Sequence, residues 1–127
     1  MTSSDTVSVL VVEDDMDLQG VYEMILKSQG YNVRTADNGI EALNALRSFT
    51  PDVILLDYLM PKMDGKNFLE NFDKNDMPDV KIILCSNISD QSVFDEMSTL
   101  GADTCILKSD LSPIDLIDVI EGQLSLR

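Results

Sequence analysis

The sequence predicts an α/β protein: a doubly wound, five-stranded parallel sheet with five helices. Three observations predict it. Five short apolar runs recur along the 127 residues, each followed by a stretch long enough for a helix. Three of the runs are nearly continuous in Val, Ile and Leu, as strands covered on both faces require. Between the runs, apolar residues recur at helical spacing. Strands alternating with helices over short connections build a parallel sheet, and right-handed crossovers restrict its topology.

The first run is VSVLVV (Val7–Val12). Leu18, Val21, Tyr22, Ile25 and Leu26 then follow the i, i+3, i+4, i+7, i+8 rule, with Gly30 where a C-terminal cap belongs. Gly20 weakens this helix by about 1 kcal/mol relative to Ala. The second run, YNVRTA (Tyr31–Ala36), alternates and suits an edge strand. Ala42, Ala45, Leu46 and Phe49 make the second helical stripe, which Pro51 stops. The third run, DVILL (Asp52–Leu56), leads to a short stripe of Phe68, Leu69 and Phe72. KIILC (Lys81–Cys85) is the fourth strand, and Val93, Met97 and Leu100 form a helix ended by Gly101. TCIL (Thr104–Leu107) is the fifth strand, and Ile117, Ile120 and Leu124 make the last helix. Its start, SPID, offers Ser112 as cap, Pro113 at the first helical position and Asp115 near the positive dipole end.

No linker, internal repeat or composition break divides the chain, so one domain over 1–127 is expected, with residues 1–5 as a flexible N-terminus. No apolar run approaches the ~20 residues needed to span a bilayer. The N-terminus has no basic segment before its apolar run, so no signal peptide is read and a cytoplasmic location is expected. A net charge of −14 argues against nucleic acid and anionic membranes and favours cationic partners, a metal ion or a basic protein surface. Two cysteines and no histidine make a zinc site untenable; Cys85 and Cys105 sit in apolar runs and are expected to be buried thiols.

The chemistry lies after the strands. Glu13, Asp14 and Asp15 follow the first, Asp57 the third, Ser86 the fourth and Lys108 the fifth. In a parallel sheet these positions share the carboxyl edge, where open α/β folds bind ligands. One polar residue at a strand end is ordinary; this set is not. Two like charges about 4 Å apart repel by about 4 kcal/mol at an effective dielectric of ~20. One lysine cannot offset three or four carboxylates, whereas a hard divalent cation can. An ionised Asp57 beside that cation can act as a nucleophile toward phosphorus, with Lys108 and the Ser86 hydroxyl facing the phosphoryl oxygens.

The motifs VLVVEDD, LLDYLMPKMDG, IILCSN and CILKSD, in that order, resemble the receiver domain of two-component response regulators over nearly the whole chain. The resemblance implies the flavodoxin- and CheY-like strand order 2-1-3-4-5. It implies Asp57 as phosphoacceptor and a Mg²⁺ (or Mn²⁺) site made by Asp14, Asp57 and the Leu59 backbone carbonyl, with Glu13 acting through a water. Ser86 and Lys108 would contact the phosphoryl group. The donor would be a histidine of a sensor kinase or phosphotransfer protein in a phosphorelay. The output would be a protein docked on the face of the fourth helix, fifth strand and fifth helix, with phosphorylation-dependent homodimerisation left open. Such a domain assists its own phosphorylation and dephosphorylation and turns over no external substrate.

Several positions depart from the family pattern. Glu13 is one methylene longer than the frequent Asp, Asn87 replaces a common small residue, and Ser109 replaces the usual Pro after Lys108. A cis bond before Ser would cost about 3 kcal/mol, so that bond is either trans or strained. Cys105 stands where many members carry a switching Tyr or Phe, and a thiol cannot swing an aromatic ring into the space vacated by Ser86. Leu59 and Ile88 are apolar at positions that tune phosphoryl hydrolysis, which predicts slow self-dephosphorylation. The competing reading is a constitutive docking module that never uses Asp57. An aspartate-based phosphohydrolase would need a second acid at Leu59, the acids would repel a flavin phosphate, and no GxxxxGK[ST] loop supports nucleotide hydrolysis.

Overall fold

Five parallel strands, β1 (Ser8–Val12), β2 (Asn32–Ala36), β3 (Val53–Asp57), β4 (Lys81–Ser86) and β5 (Thr104–Leu107), form one sheet in the order β2-β1-β3-β4-β5. This is the predicted order. The computed structural model describes residues 6–126; the flexible N-terminus expected at 1–5 lies outside them. Helices α1 (Met16–Ser28), α2 (Gly39–Ala45), α3 (Gly65–Asn71), α4 (Gln91–Leu100) and α5 (Asp115–Leu124) alternate with the strands. No helix among the described residues is long and apolar enough to cross a membrane.

Strand period two divides the apolar residues between two layers. Leu10, Val12, Ile54, Leu56, Ile82 and Leu84 pack with Ala42, Phe68 and Met97 of α2, α3 and α4. Val9, Val11, Val53, Leu55, Ile83 and Cys85 pack with Tyr22 and Leu26 of α1 and Leu116 and Ile120 of α5. The three central strands are therefore covered twice, which is why their sequences are continuously apolar. β2 alternates because it is an edge.

Capping side chains set most helix starts. Asp15, Asn38, Asp64 and Asp90 each accept from a backbone N–H in the first turn of α1, α2, α3 and α4. Gly30 and Gly101 follow α1 and α4 with φ of 91° and 123°, as expected of helix ends.

Two helix boundaries differ from the prediction. Regular α2 stops at Ala45, because Arg47 and Ser48 donate to carbonyls only three residues back and tighten the chain. Phe49 is buried beyond the helix, under the Arg34 guanidinium 4.9 Å from its ring centre. At α5, Asp115 N–H bonds the Ser112 carbonyl at 3.0 Å and Leu116 N–H the Pro113 carbonyl at 3.3 Å. Pro113 and Ile114 thus form a tight lead-in turn, and the regular helix starts two residues later than Pro113 suggested.

Cys85 is buried, but Cys105 is only partly so. β5 is the other edge strand, with all four residues half-covered, so its short apolar run overstated its burial. No peptide bond among the described residues is cis, and Lys108–Asp110 form a single 3₁₀ turn after β5.

Candidate functional site

Strand register assembles the site. Val12 lies opposite Leu56, so Glu13 and Asp57 leave adjacent strands side by side. Asp57 lies opposite Cys85, and Ser86 opposite Leu107, which brings Lys108 to the same edge. Glu13, Asp57 and Ser86 are buried at 3%, 6% and 1% exposure, while Asp14 faces solvent. The Lys108 ammonium reaches back to lie 2.8 Å from Glu13 Oε1 and 3.1 Å from Asp57 Oδ1.

Close approach of the backbone fixes this corner. Gly65 N–H donates to the Tyr58 carbonyl at 2.9 Å, folding the loop after β3 back on itself. A Cβ on Gly65 would sit 2.7 Å from the Asp57 carbonyl oxygen and 3.1 Å from Tyr58 Cα. Only glycine fits there without moving the backbone of the acid itself.

The charges do not balance. Glu13, Asp14 and Asp57 each place a carboxylate oxygen within 4.8 Å of the others. Three carboxylates against the one ammonium of Lys108 leave two negative charges uncompensated when all are ionised. Burial first, then the charge of Glu13, pushes Asp57 up to about 7 against the opposing pull of Lys108. At Lys108, burial disfavours the charge, but the bond to Glu13 and the charges of Asp57 and Glu13 outweigh it and hold the ammonium protonated well above its usual range. A donor set of carboxylate oxygens, partly open to water through Asp14, suits a hard divalent cation such as Mg²⁺.

The response regulator receiver domain family matches residues 9–121. This chain belongs to that family. It is 34% identical to the chemotaxis protein CheY of Treponema pallidum over 119 residues, covering 89% of this chain and 77% of that protein. It is 38% identical over 110 residues to the probable transcriptional regulator ycf27 of Guillardia theta, covering 85% of this chain but 41% of that protein. The chain thus spans about two-fifths of the length of the ycf27 relatives. A CheY-like receiver domain from Methanospirillum hungatei superposes with a TM-score of 0.86 at 27% identity, covering 94% of both chains. Residues 9–121 are a receiver domain of two-component signalling.

In this receiver domain the Ser86 side chain bonds within its own loop. Its hydroxyl donates to the Ile88 carbonyl at 3.1 Å and accepts from the Ile88 N–H at 3.0 Å, so it closes its own loop. Leu59 and Ile88 project at the same edge, 55% and 46% exposed. The Cys105 thiol faces the Phe94 carbonyl of α4 at 3.9 Å and packs against the core layer on that side of the sheet. A cleft of about 250 Å³ between Thr50–Asp52 and Asp76–Val80 opens at the opposite, amino edge of the strands and holds none of these groups. The convergence of charge, not concavity, marks the site.

Two residues of the receiver's acidic corner lie outside the motifs and the strand-end set named from the sequence, Asp37 and Gln19. Asp37 follows β2, as the other acids follow their strands. Gln19 lies on the buried face of α1 with Tyr22 and Leu26. A polar residue three and seven positions before two core residues is the signal that points to it.

Proposed function

We propose that Asp57 accepts a phosphoryl group from a phosphohistidine of a sensor kinase or phosphotransfer protein, and that this switches a protein-docking face. One observation carries the reading: Asp57 is buried at the end of β3, and its ammonium partner is shared with a second buried carboxylate. A structural ion pair has no use for that excess of negative charge. An Asp57 oxygen forms the new bond to phosphorus as the phosphorus–nitrogen bond breaks, and the departing imidazole keeps the electron pair and takes up a proton.

Asp14, Asp57 and the Leu59 carbonyl would hold Mg²⁺ directly, and Glu13 through a water. Bound there, the ion supplies charge neutralisation for the phosphoryl oxygens. Lys108, already between Glu13 and Asp57, exchanges its Asp57 contact for a phosphoryl oxygen. Ser86 reaches the phosphoryl group only by releasing Ile88, and that release repositions the loop into α4. The α4–β5–α5 face then offers the altered surface to a downstream protein.

Incubation with a small-molecule phosphodonor and Mg²⁺, followed by intact mass measurement, tests the proposal. The expected result is the mass gain of one phosphoryl group, absent without Mg²⁺ and absent in Asp57→Asn. A constitutive docking module gives no mass gain in any arm.

A further inference from the structure

The Gln19 side chain is 7% exposed. Its Nε2 lies 2.9 Å from the Glu13 carbonyl oxygen, 3.3 Å from the Ala36 carbonyl oxygen and 3.0 Å from Asp37 Oδ1. All three are acceptors, so only the NH₂ end of the carboxamide can face them, and two hydrogens serve three partners. The Glu13 carbonyl belongs to the peptide unit joining Glu13 to Asp14. On the other side of Glu13, its own N–H donates to the same Ala36 carbonyl at 3.0 Å. The backbone that carries both acids is therefore tied on either side to the end of β2.

The choice of donor matters. A cationic side chain at this position would place positive charge beside the acids and compete with a bound cation. A carboxylate would face three acceptors with nothing to donate. Glutamine satisfies the three oxygens and leaves the charge of the corner untouched.

We infer that Gln19 is a positioning residue of the acidic site: its carboxamide fixes the peptide between Glu13 and Asp14, and with it the directions from which those carboxylates face Asp57. This rests on the reading of Glu13, Asp14 and Asp57 as a divalent-cation site.

The test is NMR on the intact protein with Mg²⁺ as the probe. In the metal-free protein the Gln19 side-chain NH₂ pair is expected to be resolved and slow to exchange with solvent. On Mg²⁺ addition it shifts in step with the backbone amides of Asp14 and Asp57. Gln19→Met keeps the length and removes the donors, and it is expected to weaken Mg²⁺ binding on the order of tenfold, the usual size of an outer-shell effect. Ile120→Val, a core truncation on α5, is expected to lower the Tm and leave Mg²⁺ affinity unchanged. Unaltered Mg²⁺ affinity in Gln19→Met, or an equal loss in Ile120→Val, overturns the inference. If Gln19→Met does not fold, the unmodified protein decides: an NH₂ pair at free-glutamine positions, unmoved by Mg²⁺, overturns the inference while Asp14 and Asp57 still respond. No Mg²⁺ response anywhere overturns the metal-site reading together with the inference.

Discussion

Asp57 combines burial with an incomplete set of partners, and this gives its protonation a direction. Its folded value near 7 lies above the ordinary 3.8. Between those values the native protein keeps a proton that the unfolded chain has lost, so this group's contribution to stability is present below the lower value and fades as pH rises through the upper one. Asp57→Asn removes the effect. In metal-free buffer its melting temperature should exceed that of the unmodified protein at about pH 8, with the advantage shrinking by about pH 5. An equal difference at both values would contradict the assignment. Gly65 has a separate role, because an added Cβ meets the Asp57 carbonyl oxygen at 2.7 Å. Gly65→Ala should cost about 1–3 kcal/mol in urea unfolding, as overpacking does; a neutral substitution would show that the loop yields freely. Leu59 and Ile88 border the site with side chains that cannot orient an attacking water. Phosphoryl release is therefore expected to be slow, and a half-life of seconds for radiolabelled protein would count against this.

At the scale of elements, most of the fold was legible because double coverage writes itself into the strands. Val9 to Val12, Val53 to Leu56 and Ile82 to Cys85 are apolar at every position, since each strand faces a helix layer on both sides. The acids and Lys108 were legible because a parallel sheet sends every strand end to one edge. What was hidden depended on partners elsewhere in the chain. The tight turns ending α2 and opening α5 come from i to i+3 bonding that apolar periodicity does not encode. Gln19 shows its role only once β2 brings Ala36 and Asp37 beside it. The edge position of β5 likewise separates the two cysteines. Burial pushes the Cys85 thiol up to about 12, beneath α1 and α5, while Cys105 is only partly buried. A thiol reagent added to the native protein should modify Cys105 first and Cys85 only on unfolding, as peptide mapping would reveal; faster labelling of Cys85 would contradict the packing.

For the molecule as a whole, charge is the dominant long-range fact. The chain carries −14, and between Ile82 and Leu126 its only basic residue is Lys108, held in the site. Asp95 on α4 and Asp118 and Glu121 on α5 are all exposed, while Glu96 on α4 is paired with Lys66 at 3.2 Å. Two copies meeting through this face would oppose like charges, so the unphosphorylated protein is expected to stay monomeric at low ionic strength, and light scattering that found a dimer there would refute this. The same repulsion, concentrated at Glu13, Asp14 and Asp57, is what a divalent cation bound at that corner would relieve. Titrating MgCl₂ into metal-free protein at constant ionic strength tests this most directly. A saturable rise in melting temperature is expected, together with amide shifts centred on Asp14 and Asp57. A flat melting temperature with unmoved amides at those two residues would contradict it.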